Sequence, residues 1–145
     1  KIYEQRQHEQ DELRRREQQE LVRIATSSAV IEGRLGEAAQ MINEVAANLL
    51  LVERVSLWLL AENGRTLTTA DLYERTARRH TANTSITASD HPRYFDALRV
   101  ERAIAATDAN TDPRTSEFAT GYLSRHDIIS ILDAPVRVAG IPTGP

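Results

Sequence analysis

The chain has no cysteine. That absence removes disulfide scaffolds, thiolate metal sites, cysteine nucleophiles and thioether-linked chromophores together, and it fits a reducing cytoplasm. No apolar run approaches the roughly 20 residues of a membrane-spanning helix. The polar opening residues do not form a signal peptide, so no direct membrane contact is expected. Glycine-rich phosphate loops are missing too, since Gly33-Arg-Leu-Gly36 lacks both the spacing and the lysine. No Gly-x-Ser-x-Gly nucleophile elbow occurs. A formal net charge of −3 gives no electrostatic reason to expect nucleic acid as a partner.

What is present is ordinary for a soluble protein: 41% apolar and 27% charged residues. A length of 145 residues allows one respectable core with an appendage. The appendage reads as Lys1 to Arg23. Its basic residues (Lys1, Arg6, Arg14, Arg15, Arg16, Arg23) balance its acidic ones (Glu4, Glu9, Asp11, Glu12, Glu17, Glu20), as in a solvated helix with pairs three and four residues apart. Leu13, Leu21, Ile24 and Ile31 make only a broken heptad, which leaves three states open: a dimeric coiled coil, a solitary helix packed on the domain, or a frayed linker. Thr26-Ser27-Ser28 and Glu32-Gly33-Arg34-Leu35-Gly36 interrupt the helix. Leu35, Ala38, Ala39, Ile42, Val45, Ala46, Leu49 and Leu50 then recur on one face of a second, core helix.

The clearest supersecondary signal lies in Glu53 to Asp71. Val55 to Leu60 is an apolar run suited to a pleated surface, and it predicts a central strand covered on both faces. Asn63-Gly64 predicts a type I′ turn. The more polar return strand, Thr66 to about Leu72, is expected nearer an edge. Thr81 to Ser89 reads as a polar loop, long enough to serve as a lid over a binding site. Ser89-Asp90-His91-Pro92 predicts a helix with a side-chain cap and a first-turn proline, lined by Tyr94, Phe95, Leu98 and Arg102. Tyr94 and Phe95 are adjacent, so only one is expected to face fully inward. Ala103 to Thr107 reads as a short strand, and Asp112-Pro113 as the start of a helix carrying Phe118 and Tyr122. Ile128 to Val138 reads as a strand with Pro135 at an edge or bulge, followed by a hairpin turn at Gly140 to Gly144.

Arg54-Val-Ser-Leu-Trp-Leu-Leu, Asp71-Leu-Tyr-Glu-Arg, His91-Pro-Arg-Tyr-Phe-Asp-Ala-Leu, Asp108-Ala-Asn-Thr-Asp-Pro-Arg-Thr-Ser-Glu-Phe, Tyr122-Leu and Ser130-Ile-Leu-Asp-Ala-Pro-Val follow one another in the chain. In that order they resemble a GAF domain, the sensory module of bacterial histidine kinases and diguanylate cyclases. The resemblance implies an α+β fold: an antiparallel sheet with helices on both faces, preceded here by a long N-terminal helix. It divides the chain into residues 1–33, a signalling or linker helix, and residues 34–145, a sensory domain that stops before the family's last strands and closing helix. It further implies a cytoplasmic, non-catalytic module that binds a small molecule, dimerises through its N-terminal helices and passes a signal to an output domain elsewhere in the parent chain. A dimerisation scaffold without ligand is the alternative. No cofactor is implied: the sulfoxide-reductase and bilin-binding branches need cysteine. The cyclic-nucleotide signature needs an internal lysine, and Lys1 is the sole lysine.

Each candidate residue has a plainer reading beside the functional one. Asp108-x-Asn110-x-Asp112 imitates a calcium loop, yet Pro113 and Ala119 stand where glycine and a bidentate glutamate belong, so no metal site is assigned. The four histidines lack ligand spacing. Trp58 is a core residue or the floor of a ligand site. His80, at the foot of the expected lid, is a surface residue or a titrating ligand contact. Tyr94 and Phe95 follow the lid and are both candidate ligand contacts, although only one is expected to face fully inward. Asp108 is a turn carboxylate or a ligand contact.

Overall fold

The computed structural model describes residues 2–135. By mutual contact they form two compact units: residues 2–59 with 69–84, and residues 60–68 with 85–135. The fold is the expected mixture of a long N-terminal helix, an antiparallel sheet and further helices.

The first unit opens with α1 (Ile2–Ala25), whose charges are balanced along its length and which buries no residue. Its end is chemical. The Thr26 and Ser27 hydroxyls donate back to the carbonyls of Val22 and Ile24 at 2.7 and 2.8 Å, bonds that compete with helix continuation. Ser27 then caps α2 (Ser28–Ile31), its hydroxyl accepting from the Val30 amide. Gly33, at φ +71°, supplies the left-handed reversal into α3 (Leu35–Leu50).

The expected bounds of α3 hold, but its inward stripe is turned. Ala38, Ala39, Asn43, Val45 and Ala47 are buried, whereas Leu35 and Leu50, read as core, are exposed. The stripe follows Asn43 because a buried carboxylate on the sheet needs its amide donor. The helix closes at Leu51 with φ +53°, a conformation that costs a non-glycine residue about 1 kcal/mol.

The sheet corrects the sequence reading at its centre. Its order is β1 (Arg54–Leu60), β2 (Thr66–Glu74), β3 (Arg79–Thr81), with β4 (Ser85–Thr87) also on β2. The polar β2 is therefore the central strand, and the apolar β1 is its neighbour at the end of the order. β1 is not covered on both faces: Ser56, Leu59 and Leu60 are exposed and the rest half-buried. β2 instead buries Leu67, Thr69, Asp71 and Tyr73 in strict alternation, the period of two that pleating imposes. Its polar residues are buried because each finds a hydrogen bond, which hydropathy alone does not register.

The expected lid contains strand: Thr81 ends β3 and Ser85–Thr87 is β4. β3 pairs with β2 through Leu72↔Thr81, Tyr73↔His80 and Glu74↔Arg79, and β4 pairs with it through Thr66↔Thr87, Leu67↔Ile86 and Thr68↔Ser85, both antiparallel. Between them Asn83 takes φ +66°, and the Asn83 and Thr84 backbones bond Thr69. β2's free edge needed partners for its amides and carbonyls, and threonine-rich chain suits a pleated neighbour.

In the second unit the hairpin turn is not type I′. Gly64 has φ +70°, but Asn63 does not; the Gly64 amide bonds the Ala61 carbonyl, and the Asn63 side chain accepts from the Arg65 amide. A five-residue loop with one left-handed glycine at its fourth position relieves Asn63 of that strain. α4 (Pro92–Val100) begins after His91 with no side-chain cap from its own N-terminal flank. Tyr94 and Phe95 are both buried, their rings edge-on at 6.1 Å, because chain covers both directions in which they diverge. Arg102 lies beyond the helix and is exposed.

β5 (Ile104–Ala106) pairs antiparallel with β6 (Ile131–Asp133) in a separate two-stranded sheet. Between them a 3₁₀ turn (Ser116–Phe118) runs into a wider π turn (Ala119–Leu123) where a regular helix was expected. Ala106, Ala109 and Leu123 form a core with Phe118, Tyr122, Ile128 and Ile131 packed on it. The buried Thr115 hydroxyl donates to the Ala109 carbonyl at 2.7 Å. Residues 136–138 of the expected strand and the hairpin turn at Gly140 lie outside the described residues.

Candidate functional site

In the first unit, β2's alternation places Asp71 and Tyr73 on its buried face, and the Tyr73↔His80 register brings His80 beside them. The Tyr73 and His80 rings lie 4.7 Å apart. His80 Nδ1 is 2.9 Å from both Asp71 carboxylate oxygens, and Nε2 is 2.6 Å from Glu44 Oε1 on α3. Asn43 Nδ2, one residue before Glu44, donates to Asp71 Oδ2 at 2.9 Å and to the Asp71 carbonyl at 3.0 Å. Burial works against charge on the His80 ring. The hydrogen bonds to Glu44 and Asp71, with their charges, outweigh it and raise the imidazole above its ordinary pKa.

This set is arranged to hold a proton between two carboxylates. The Nε2 that a general base offers to a substrate is occupied by Glu44, and neither ring nitrogen is bonded to a hydroxyl or thiol. Trp58, in the same unit, is half-buried and donates its indole N–H to Ser56 Oγ at 2.9 Å, two residues away on the same side of β1.

In the second unit, the start of α4 is capped from afar. The Arg93 and Tyr94 amides donate to Glu117 Oε1 and Oε2 at 2.9 and 3.2 Å. Burial pushes the Glu117 carboxyl up, but these donations and the Arg93 guanidinium carry it below its usual value. Phe118, next to Glu117, stacks on His91 at 4.2 Å and meets Tyr94 edge-on at 5.1 Å. The Tyr94 hydroxyl donates to Asp133 Oδ2 at 2.6 Å. Burial, then the Asp133 charge, raises the Tyr94 phenol; burial also raises Asp133 despite that hydrogen bond.

Asp108 is exposed and serves its own turn: its carboxylate accepts from the Asn110 amide, and its carbonyl from Thr111 and Asp112. An open groove of about 690 Å³ is lined by Arg93, Asp96, Ala97, Arg99, Val100, Glu101 and Arg114. Arg93 pairs with Glu117, Arg99 with Asp96, and Arg114 with Glu101 and Asp112, so its cations already carry carboxylates. The Arg114 bonds lower Asp112 to about 2. Among the described residues no group of three or more histidine, aspartate or glutamate side chains could hold a metal ion. No helix among them is long and apolar enough to cross a membrane.

The five sequence candidates thus divide: Trp58 and His80 belong to the first unit, and Tyr94, Phe95 and Asp108 to the second. Asn43, Glu44, Asp71, Glu117 and Asp133 were not foreseen. Two of them left a trace in the sequence: Asn43 interrupts an apolar helical stripe, and Asp71 falls on the inward register of an alternating strand.

A long N-terminal helix joined to an antiparallel sheet and further helices defines a module of the α+β class. The chain belongs to the GAF domain family, whose model matches residues 34–144. GAF domains are regulatory modules of small-molecule binding or signalling, generally without catalysis of their own. No curated protein and no solved structure matches the chain.

Proposed function

We propose that this chain is the non-catalytic, small-molecule-sensing part of a bacterial signal-transduction protein, passing a ligand-dependent change through its helices to an output domain. The observation that carries this reading is the GAF match over residues 34–144 joined to α1, a 24-residue helix with no buried residue. A long helix that packs so little of itself gains stability from something else. A second copy, paired through α1, is the partner we propose. His80 and Trp58, and separately Tyr94 and Phe95, are the ligand-contacting residues of this reading; Asp108 has a weaker claim because its carboxylate serves the turn.

A ligand acts only through unequal affinity for two states of the domain, and binding to the folded state raises its melting temperature with ligand concentration. The test is a thermal-shift screen of the full chain against a metabolite panel. A concentration-dependent rise for one chemical class is expected; a melting temperature that no compound moves would sink the sensing role. A ligand-free dimerisation scaffold is favoured by one observation, the exposed Leu13 and Leu21 of α1. Light scattering on Leu13→Glu/Leu21→Glu tests the dimer contact that both readings share: a dimer that becomes a folded monomer supports the helix as the contact, and a monomeric parent removes the scaffold.

A further inference from the structure

We infer that His80 is a proton-operated latch joining α3 to the β2–β3 hairpin. Both ring nitrogens face carboxylate oxygens, Asp71 at 2.9 Å and Glu44 at 2.6 Å, and an ionised carboxylate only accepts hydrogen bonds. Imidazolium has two N–H groups and satisfies both. Neutral imidazole has one, which leaves a lone pair facing the other carboxylate.

The geometry decides which contact opens. Asp71 is buried, its side chain only 2% accessible, and is fixed by Asn43. The Glu44 side chain is 51% accessible and can swing into water. Deprotonation therefore keeps Nδ1–H on Asp71 and releases Glu44, the proton leaving through the partly accessible ring. The other groups near the latch are accounted for: Tyr73 on β2 lies against the ring, and Arg79 on β3 is turned onto Glu74, which also pairs with Arg54 of β1. The upward displacement of the imidazole pKa places this change above the ordinary histidine value. α1 and α2 both contact α3, so the release acts on an element that the N-terminal helix packs against.

The regulatory consequence rests on the sensory reading above; the latch itself does not. The test is an NMR titration of the histidine side chains and backbone amides of the full chain, in the parent and in Glu44→Gln. The expected result is a His80 midpoint above the ordinary histidine value of about 6.5, a drop back toward that value in E44Q, and α3 amides around Glu44 that shift with the parent's midpoint. A His80 midpoint at or below the ordinary value, one that E44Q leaves unmoved, or α3 amides silent through the transition would each overturn the latch. A metabolite screen that finds nothing bears on the ligand alone, so the two failures are distinguishable.

Discussion

At the scale of single residues, some buried polar side chains bond one another across long stretches of chain, as Asn43 does with Asp71 and Tyr94 with Asp133. Tyr94 and Asp133 show the consequence. Removing the hydroxyl in Tyr94→Phe leaves the Asp133 carboxylate buried without its donor, a loss of about 1–3 kcal/mol in urea denaturation at neutral pH. The penalty shrinks in acid, where the carboxyl is neutral and cheaper to leave unpaired. The direction follows from Asp133 itself. Its folded pKa lies above the unfolded one, so the folded state holds the proton longer, and stability falls as pH rises from the unfolded value through the folded one. An equal loss at both pH values would mean that the pair does not exist in solution. None of this was legible in the sequence, where Tyr94 and Asp133 stand 39 positions apart.

At the scale of elements, the helices divide into those that sequence specifies and those that the fold completes. α3 was readable to both ends because its apolar period and the interruption at Gly33 before it are local. α4 was readable as a helix, from its proline and its apolar face, but not its cap. Instead of Ser89 or Asp90, Glu117 accepts from its first amides, across a separation of 24 residues. Glu117→Ala should cost about 1–2 kcal/mol, within the range of lost N-caps. Hydrogen exchange at the Arg93 and Tyr94 amides should quicken more than at the core amides. Unchanged exchange there would show that α4 starts without this carboxylate. The lid expectation failed for a related reason: Ser85 to Thr87 has the composition of a loop, and only the free edge of β2 makes it a strand.

At the scale of the whole molecule, His80 should write its protonation into stability. Its folded pKa is raised above the unfolded value, so its contribution is complete below the unfolded value of about 6.5 and disappears as pH rises through the folded value. Melting temperature should therefore decline in the parent as pH rises above the ordinary histidine value of about 6.5. His80→Gln, which retains a donor but no titration, should flatten the decline; parallel profiles would assign it to other groups.

The sequence by itself determined the family, the mixed fold class, the bounds of α3 and the β1–β2 hairpin, because those rest on local periodicity, turn residues and ordered motifs. Tertiary structure alone decided that the polar β2 is central, that the apolar β1 is not enclosed, and that Glu44, Asp71 and His80 meet. Burial of a polar side chain depends on whether a partner arrives from elsewhere in the chain, and pairings across 9 and 36 residues are set by register and helix placement. Composition carries no record of them.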